Sequence, residues 1–98
     1  MSSGDPTGNS LPSVIPREDV IFTDLDGLEG VLVDLKTKKF YRLNETAILI
    51  WRGLEKHLTV DMIVREVVEL YEVTLDHARA SVEALVQNLY ARKLVRPR

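Results

Sequence analysis

The sequence predicts an α+β domain in which three short antiparallel strands come first and three helices follow. Two observations lead there. Between residues 20 and 43 apolar side chains alternate with polar ones, the period of a strand with one covered face. After residue 44 the apolar spacing changes to three and four residues. Asn44, Thr59 and Thr74 then divide the second half into three helices: each can accept a hydrogen bond from a free N–H of the first turn, and Glu45, Asp61 and Asp76 follow where a negative charge suits the helix end.

The elements follow in order. Residues 1–18 hold Gly4, Pro6, Gly8, Pro12 and Pro16 and four serines, too little apolar surface to offset ordering entropy, so they are expected to form a flexible tail ahead of a domain at 19–96. Val20–Thr23 is the first expected strand. Asp24-Leu25-Asp26-Gly27 is turn chemistry; it opens like a calcium loop but lacks the later ligands and closing Glu. Val31–Leu35 is the second strand, Lys36-Thr37-Lys38 the hairpin loop, and Lys39–Leu43 the third strand, with Tyr41 and Leu43 on one face and Phe40 and Arg42 on the other.

The first helix is expected over Glu45–Lys56, with Ala47, Ile50, Trp51 and Leu54 on its core stripe. Gly53 inside it costs about 1 kcal/mol relative to alanine, which close packing against a neighbouring backbone would explain. The second helix is expected over Val60–Tyr71, its stripe running through Met62, Ile63, Val67, Leu70 and Tyr71. The third is expected over Leu75–Arg92, with Ala78, Val82, Leu85 and Leu89 as core and a second stripe of Arg79, Val86, Tyr90 and Lys93 beside it. Leu94 and Val95 are expected to pack back, and Arg96 to Arg98 to trail off.

Composition narrows the function. The 98 residues suffice for one domain; 45% are apolar and 29% charged. A net charge of -2 lacks the excess expected of a nucleic-acid binder. Without cysteine there is no disulfide, thiolate metal site or cysteine nucleophile, and no apolar run nears the roughly 20 residues of a membrane span. No secretory signal opens the chain, so a cytoplasmic protein is the default. His57 and His77 stand alone, and no Ser-His-Asp set, Gly-rich phosphate loop or core-facing carboxylate pair is present. The expectation is a non-catalytic protein without metal or cofactor.

Binding is better supported. A three-stranded sheet has edges that a guest strand, or a second copy of the chain, can pair with. Lys36, Lys38, Lys39 and Arg42 cluster around the third strand, and Arg92, Lys93, Arg96 and Arg98 around the end of the third helix, eight of 13 basic residues in two short stretches. A groove bordered by both would favour an acidic peptide.

Tyr41-Arg42-Leu43-Asn44-Glu45-Thr46-Ala47, with Ile50-Trp51 behind it, resembles the signature of pyrroloquinoline quinone biosynthesis protein D (PqqD) and its relatives, and the likeness extends over about Val20 to Val95. The resemblance implies a winged-helix-like fold and a peptide chaperone, or RiPP recognition element. In that family the leader of a precursor peptide adds as a strand beside the third strand, in a groove walled by the third helix, and is presented to a modifying enzyme, often a radical SAM protein; PQQ biosynthesis is one of several pathways served. Carried onto this chain, the strand wall is Lys39, Phe40, Tyr41, Arg42 and Leu43, and the helix wall is Arg79, Val86 and Tyr90. Family members usually carry glycine where the first helix ends; Lys56-His57-Leu58 stand there instead, so a different turn is expected. Two other readings stay open: a winged-helix DNA-binding regulator, which a salt-dependent duplex shift would favour, and a structural assembly subunit, which a stable complex indifferent to any leader would favour.

Overall fold

A computed structural model describes residues 13–98. The elements run β1 (Val14–Pro16), β2 (Val20–Asp24), β3 (Gly30–Asp34), β4 (Lys39–Leu43), α1 (Glu45–Glu55), α2 (Val60–Tyr71), α3 (Leu75–Ala91) and β5 (Val95–Pro97). β2, β3 and β4 form the expected antiparallel meander, with Val20 opposite Asp34 and Gly30 opposite Leu43. Strand and helix boundaries agree with the sequence reading to within a residue.

The pleat sorts the meander's side chains. Val20, Leu32, Leu43 and Asp34 are buried under the helices, with Phe22 and Tyr41 packed against the same core. Ile21, Thr23, Val31, Val33, Phe40 and Arg42 occupy the alternate, outer positions. On the other side of the core lie Ile48, Ile50, Trp51 and Leu54 of α1, Ile63, Val64 and Val67 of α2, and Ala78, Val82, Val86 and Leu89 of α3. Asn44, Thr59 and Thr74 cap the helices as expected, accepting from the N–H groups of Ala47, Met62 and His77. Gly53 does permit a close approach, but to a side chain: a Cβ there would lie 2.8 Å from Ile63 Cγ1.

Asp34 is a buried acid held by the hairpin it begins. Its Oδ1 accepts from the N–H of Lys36 at 2.9 Å and of Thr37 at 3.3 Å. Burial alone would raise its pKa; these hydrogen bonds and the nearby Arg17 charge outweigh that and hold it below the ordinary carboxylate value. A depressed folded pKa means stability that is present above the unfolded value of about 3.9 and lost as pH falls through the folded one. Asp34→Asn, which keeps an acceptor but cannot titrate, should therefore flatten the acid limb of the stability profile below about pH 4 in urea titrations. An unchanged limb would assign it to other carboxylates.

Two expectations about the chain ends are corrected. Residues 1–12 of the expected tail lie outside the described residues, but Val14–Pro16 is no tail: β1 pairs antiparallel with β5, Ile15 facing Arg96, and packs against α1. Arg96 to Arg98 do not trail off either; Arg98 donates its backbone N–H to Ser13 O at 2.9 Å. Val14 and Val95 are buried in this closure, which gives the short pair its stability. A three-residue strand between Pro12 and Pro16 is too short for periodicity to reveal.

The turn after α1 is also corrected. Leu58 N donates to Gly53 O and His57 N to Leu54 O, the paired bonds of a Schellman turn, with His57 left-handed at φ 64°. The geometry that glycine would favour is thus made without it. Lys93, φ 60°, repeats the arrangement after α3. A side chain there costs about 1–2 kcal/mol, partly offset by the restriction it places on the unfolded chain. His57→Gly and Lys93→Gly should each raise stability by about 0.5–1 kcal/mol in chemical denaturation. A loss in either would mean that its side chain makes a compensating contact.

Candidate functional site

β4 lies at the end of the strand order β2-β3-β4, so among the described residues it is paired on one side only. It passes into α1 through Asn44 alone, whose Oδ1 accepts from Ala47 N at 2.8 Å. This short joint sets the opening between the strand and α3.

That opening is a cleft of about 490 Å³. Arg42 and Leu43 of β4, Asn44, Thr46, Ala47 and Ile50 at the start of α1, and Ser81, Ala84, Leu85 and Asn88 of α3 line it. Leu43, Ala47 and Ile50 are buried and Leu85 is half-buried, so its base is apolar; Arg42, Asn44 and Asn88 are exposed polar groups at its margin. Among the described residues no carboxylate lines it. Arg92 stands next to this lining: its guanidinium carbon sits 5.2 Å from the centre of the Tyr41 ring, and its Nε donates to Asn88 Oδ1 at 2.6 Å. Such a space can hold an extended segment with apolar side chains, its backbone within reach of a strand edge.

The expected strand wall is divided by the pleat. Leu43 and Arg42 line the cleft, Tyr41 is half-buried beside Arg92, Lys39 is exposed by the hairpin, and Phe40, 70% exposed, occupies an outer position. The expected helix wall is corrected. Val86 is 2% exposed and belongs to the core. Arg79 donates to Asp61 Oδ1 of α2 at 2.9 Å and lies 3.8 Å from Glu83. By helical spacing Tyr90 shares that flank, across the core stripe from the cleft. The helix turns slightly from the orientation its apolar residues alone suggest, so Val86 rather than Leu85 takes the deep position. Ser81, Ala84, Leu85 and Asn88 form the wall. Three of them are small or polar and leave no apolar signal; their i, i+3 and i+7 spacing beside the core stripe is the trace that could have found them.

The basic stretches divide as well. Arg92 brings the end of α3 to β4 at Tyr41. Arg96 instead pairs with Glu18, and Arg98 donates to the carbonyl of His57. Arg42 is matched by Glu29, whereas Lys36, Lys38 and Lys39 have no ion-pair partner among the described residues. Among the described residues no group of three or more His, Cys, Asp or Glu could hold a metal ion, and no helix is long and apolar enough to cross a membrane.

Comparison with known proteins shows which of them share this fold. The family model described as coenzyme PQQ synthesis protein D (PqqD) matches residues 29–95. No curated protein matches the chain. Among solved structures, a lasso peptide synthetase B1 complexed with the leader peptide is similar, at 25% identity and a TM-score of 0.78 over 87% of this chain and 99% of that one. TbiB1 in complex with the TbiA(beta) leader peptide shares the fold, at 22% identity and a TM-score of 0.77 over 83% and 93%.

Proposed function

Since the chain belongs to the PqqD family, we propose that it binds the leader segment of a ribosomally made precursor peptide as a strand added to β4, and presents it to a modifying enzyme. The observation that carries this is a cleft with a polar margin and an apolar base, lined by no carboxylate among the described residues, beside a strand that those residues pair on one side only. The similar lasso peptide synthetase B1 structure, which holds a leader peptide, supports it. The chain acts by binding and does no chemistry; the enzyme it serves, in the cytoplasm where precursors are made, does the chemistry, with a radical SAM protein as the first candidate. Backbone pairing with β4 supplies affinity, and the cleft selects side chains.

Titrating isotope-labelled protein with the leader of the precursor encoded beside its gene tests this reading. Amide shifts should gather on Lys39–Leu43 and on Ser81, Ala84, Leu85 and Asn88. Shifts confined to α2 would overturn the site. In the same titration Lys39→Glu should slow association with an acidic leader, and the effect should fade with added salt. Arg42→Glu should do so less cleanly, since it also strands Glu29. A Lys39→Glu effect independent of salt would argue against electrostatic steering.

A further inference from the structure

Apart from Arg42, which also lines the cleft, the outer face of the meander is not used by it. Ile21, Val33 and Phe40 lie side by side across all three strands, with Thr23, Val31 and Arg42 as the next outer row. Ile21 is 47% exposed and Phe40 70%, and neither Val31 nor Val33 packs against the core. An apolar row through the centre of a sheet's outer face is unusual in a small domain whose other face is already covered. The two ends of this face differ in charge. Lys36, Lys38 and Lys39 crowd the β3–β4 hairpin, and none of them has an ion-pair partner among the described residues; at the β2–β3 loop Asp24 pairs with Arg52 and Glu29 with Arg42, which leaves Asp26 as the acid without one.

We propose that this face takes a second copy of the chain, sheet on sheet, about a two-fold axis that lies between the sheets and runs across the strands. That axis reverses one sheet end for end and lays each basic hairpin over the partner's acidic loop; an axis along the strands would set like charges together. The reversal also brings each Ile21–Val33–Phe40 row onto the partner's Thr23–Val31–Arg42 row, where the Arg42 guanidinium, kept on its Glu29 partner, can lie over an exposed phenyl ring. Three five-residue strands offer a footprint of roughly 14 by 17 Å, well below the about 800 Å² per partner of a stable interface. The dimer is therefore weak, concentration-dependent and sensitive to salt. Unlike the edge-to-edge pairing that a free strand invites, it leaves the β4 edge open.

Sedimentation velocity of the full chain over a concentration series, with amide shifts followed over the same series, tests this. Self-association in the submillimolar range is expected, with shifts at Ile21, Val33 and Phe40. Phe40→Asp and Ile21→Thr should each weaken it roughly tenfold or more, and Lys36→Glu with Lys38→Glu should weaken it likewise at low salt. Far-UV circular dichroism and Trp51 fluorescence verify that each variant is folded. Ile21 decides between surfaces, because β2 is the strand farthest from the β4 edge. A chain that stays monomeric at millimolar concentration overturns the proposal, as does a dimer that Phe40→Asp dissolves and Ile21→Thr leaves intact, the result expected of pairing along β4.

Discussion

Replacing Trp51 with alanine is expected to remove much of the domain's stability. Trp51 is 1% exposed and is the largest of the fully buried side chains. It sits on α1, which packs against β1, β4 and α2, so no single element can move in to fill its space. Large-to-small substitution of such a residue costs about 3–5 kcal/mol, the lost transfer energy plus the cavity left behind. A domain of this size has roughly 5–10 kcal/mol in total. The indole also donates from Nε1 to Glu55 Oε2 at 3.0 Å, a bond within α1. Trp51→Phe keeps most of the apolar volume, loses that bond, and should cost about 1–3 kcal/mol. Urea denaturation followed by far-UV circular dichroism separates the two, since fluorescence is lost with the residue. A cooperative Trp51→Ala transition at the original midpoint would mean that the cluster is far more plastic than its burial indicates.

The second large effect is expected at Ala84. This exposed residue lies on the α3 side of the cleft, and arginine is nearly as good a helix former as alanine, so Ala84→Arg should leave stability almost unchanged. It should also fill the space where a guest strand's side chains would rest and place a charge over an apolar base. A loss of roughly tenfold to a hundredfold in leader affinity is expected, about 1.4–2.7 kcal/mol. Tyr90→Ala, on the opposite flank of α3, should leave affinity nearly intact. Calorimetry with the leader peptide distinguishes them. If Tyr90→Ala abolishes binding and Ala84→Arg does not, the peptide lies along the α2 side of α3 and the cleft is not its site.

These two variants mark where sequence reasoning stopped. Asn44, Thr59 and Thr74 are strong local signals, since a cap depends on its own side chain and the next three residues; they located all three helices. The alternation in Lys39–Leu43 located β4 for a similar reason. The site needed finer knowledge. Whether Leu85 or Val86 faces inward depends on a rotation of one helix against two others, and neighbouring apolar residues leave that rotation undetermined. The wall residues Ser81, Ala84 and Asn88 stay out of the core because they are small or polar, and so periodicity has nothing to detect. The β1–β5 pair was illegible because its partners are some eighty residues apart and each strand is only three residues long.

That pair has a consequence for architecture. Ser13 and Arg98 are joined by a backbone hydrogen bond, so the described chain leaves and returns at one point. A domain of this form can be spliced into a surface loop of another protein without stretching its host, because entry and exit coincide. Its ends could equally be linked and new ones opened in the exposed Leu25–Leu28 loop, giving a circular permutant whose β4 edge and α3 wall are untouched. Evolution and the laboratory would both find it easy to move as a cassette, carried within an enzyme or beside one.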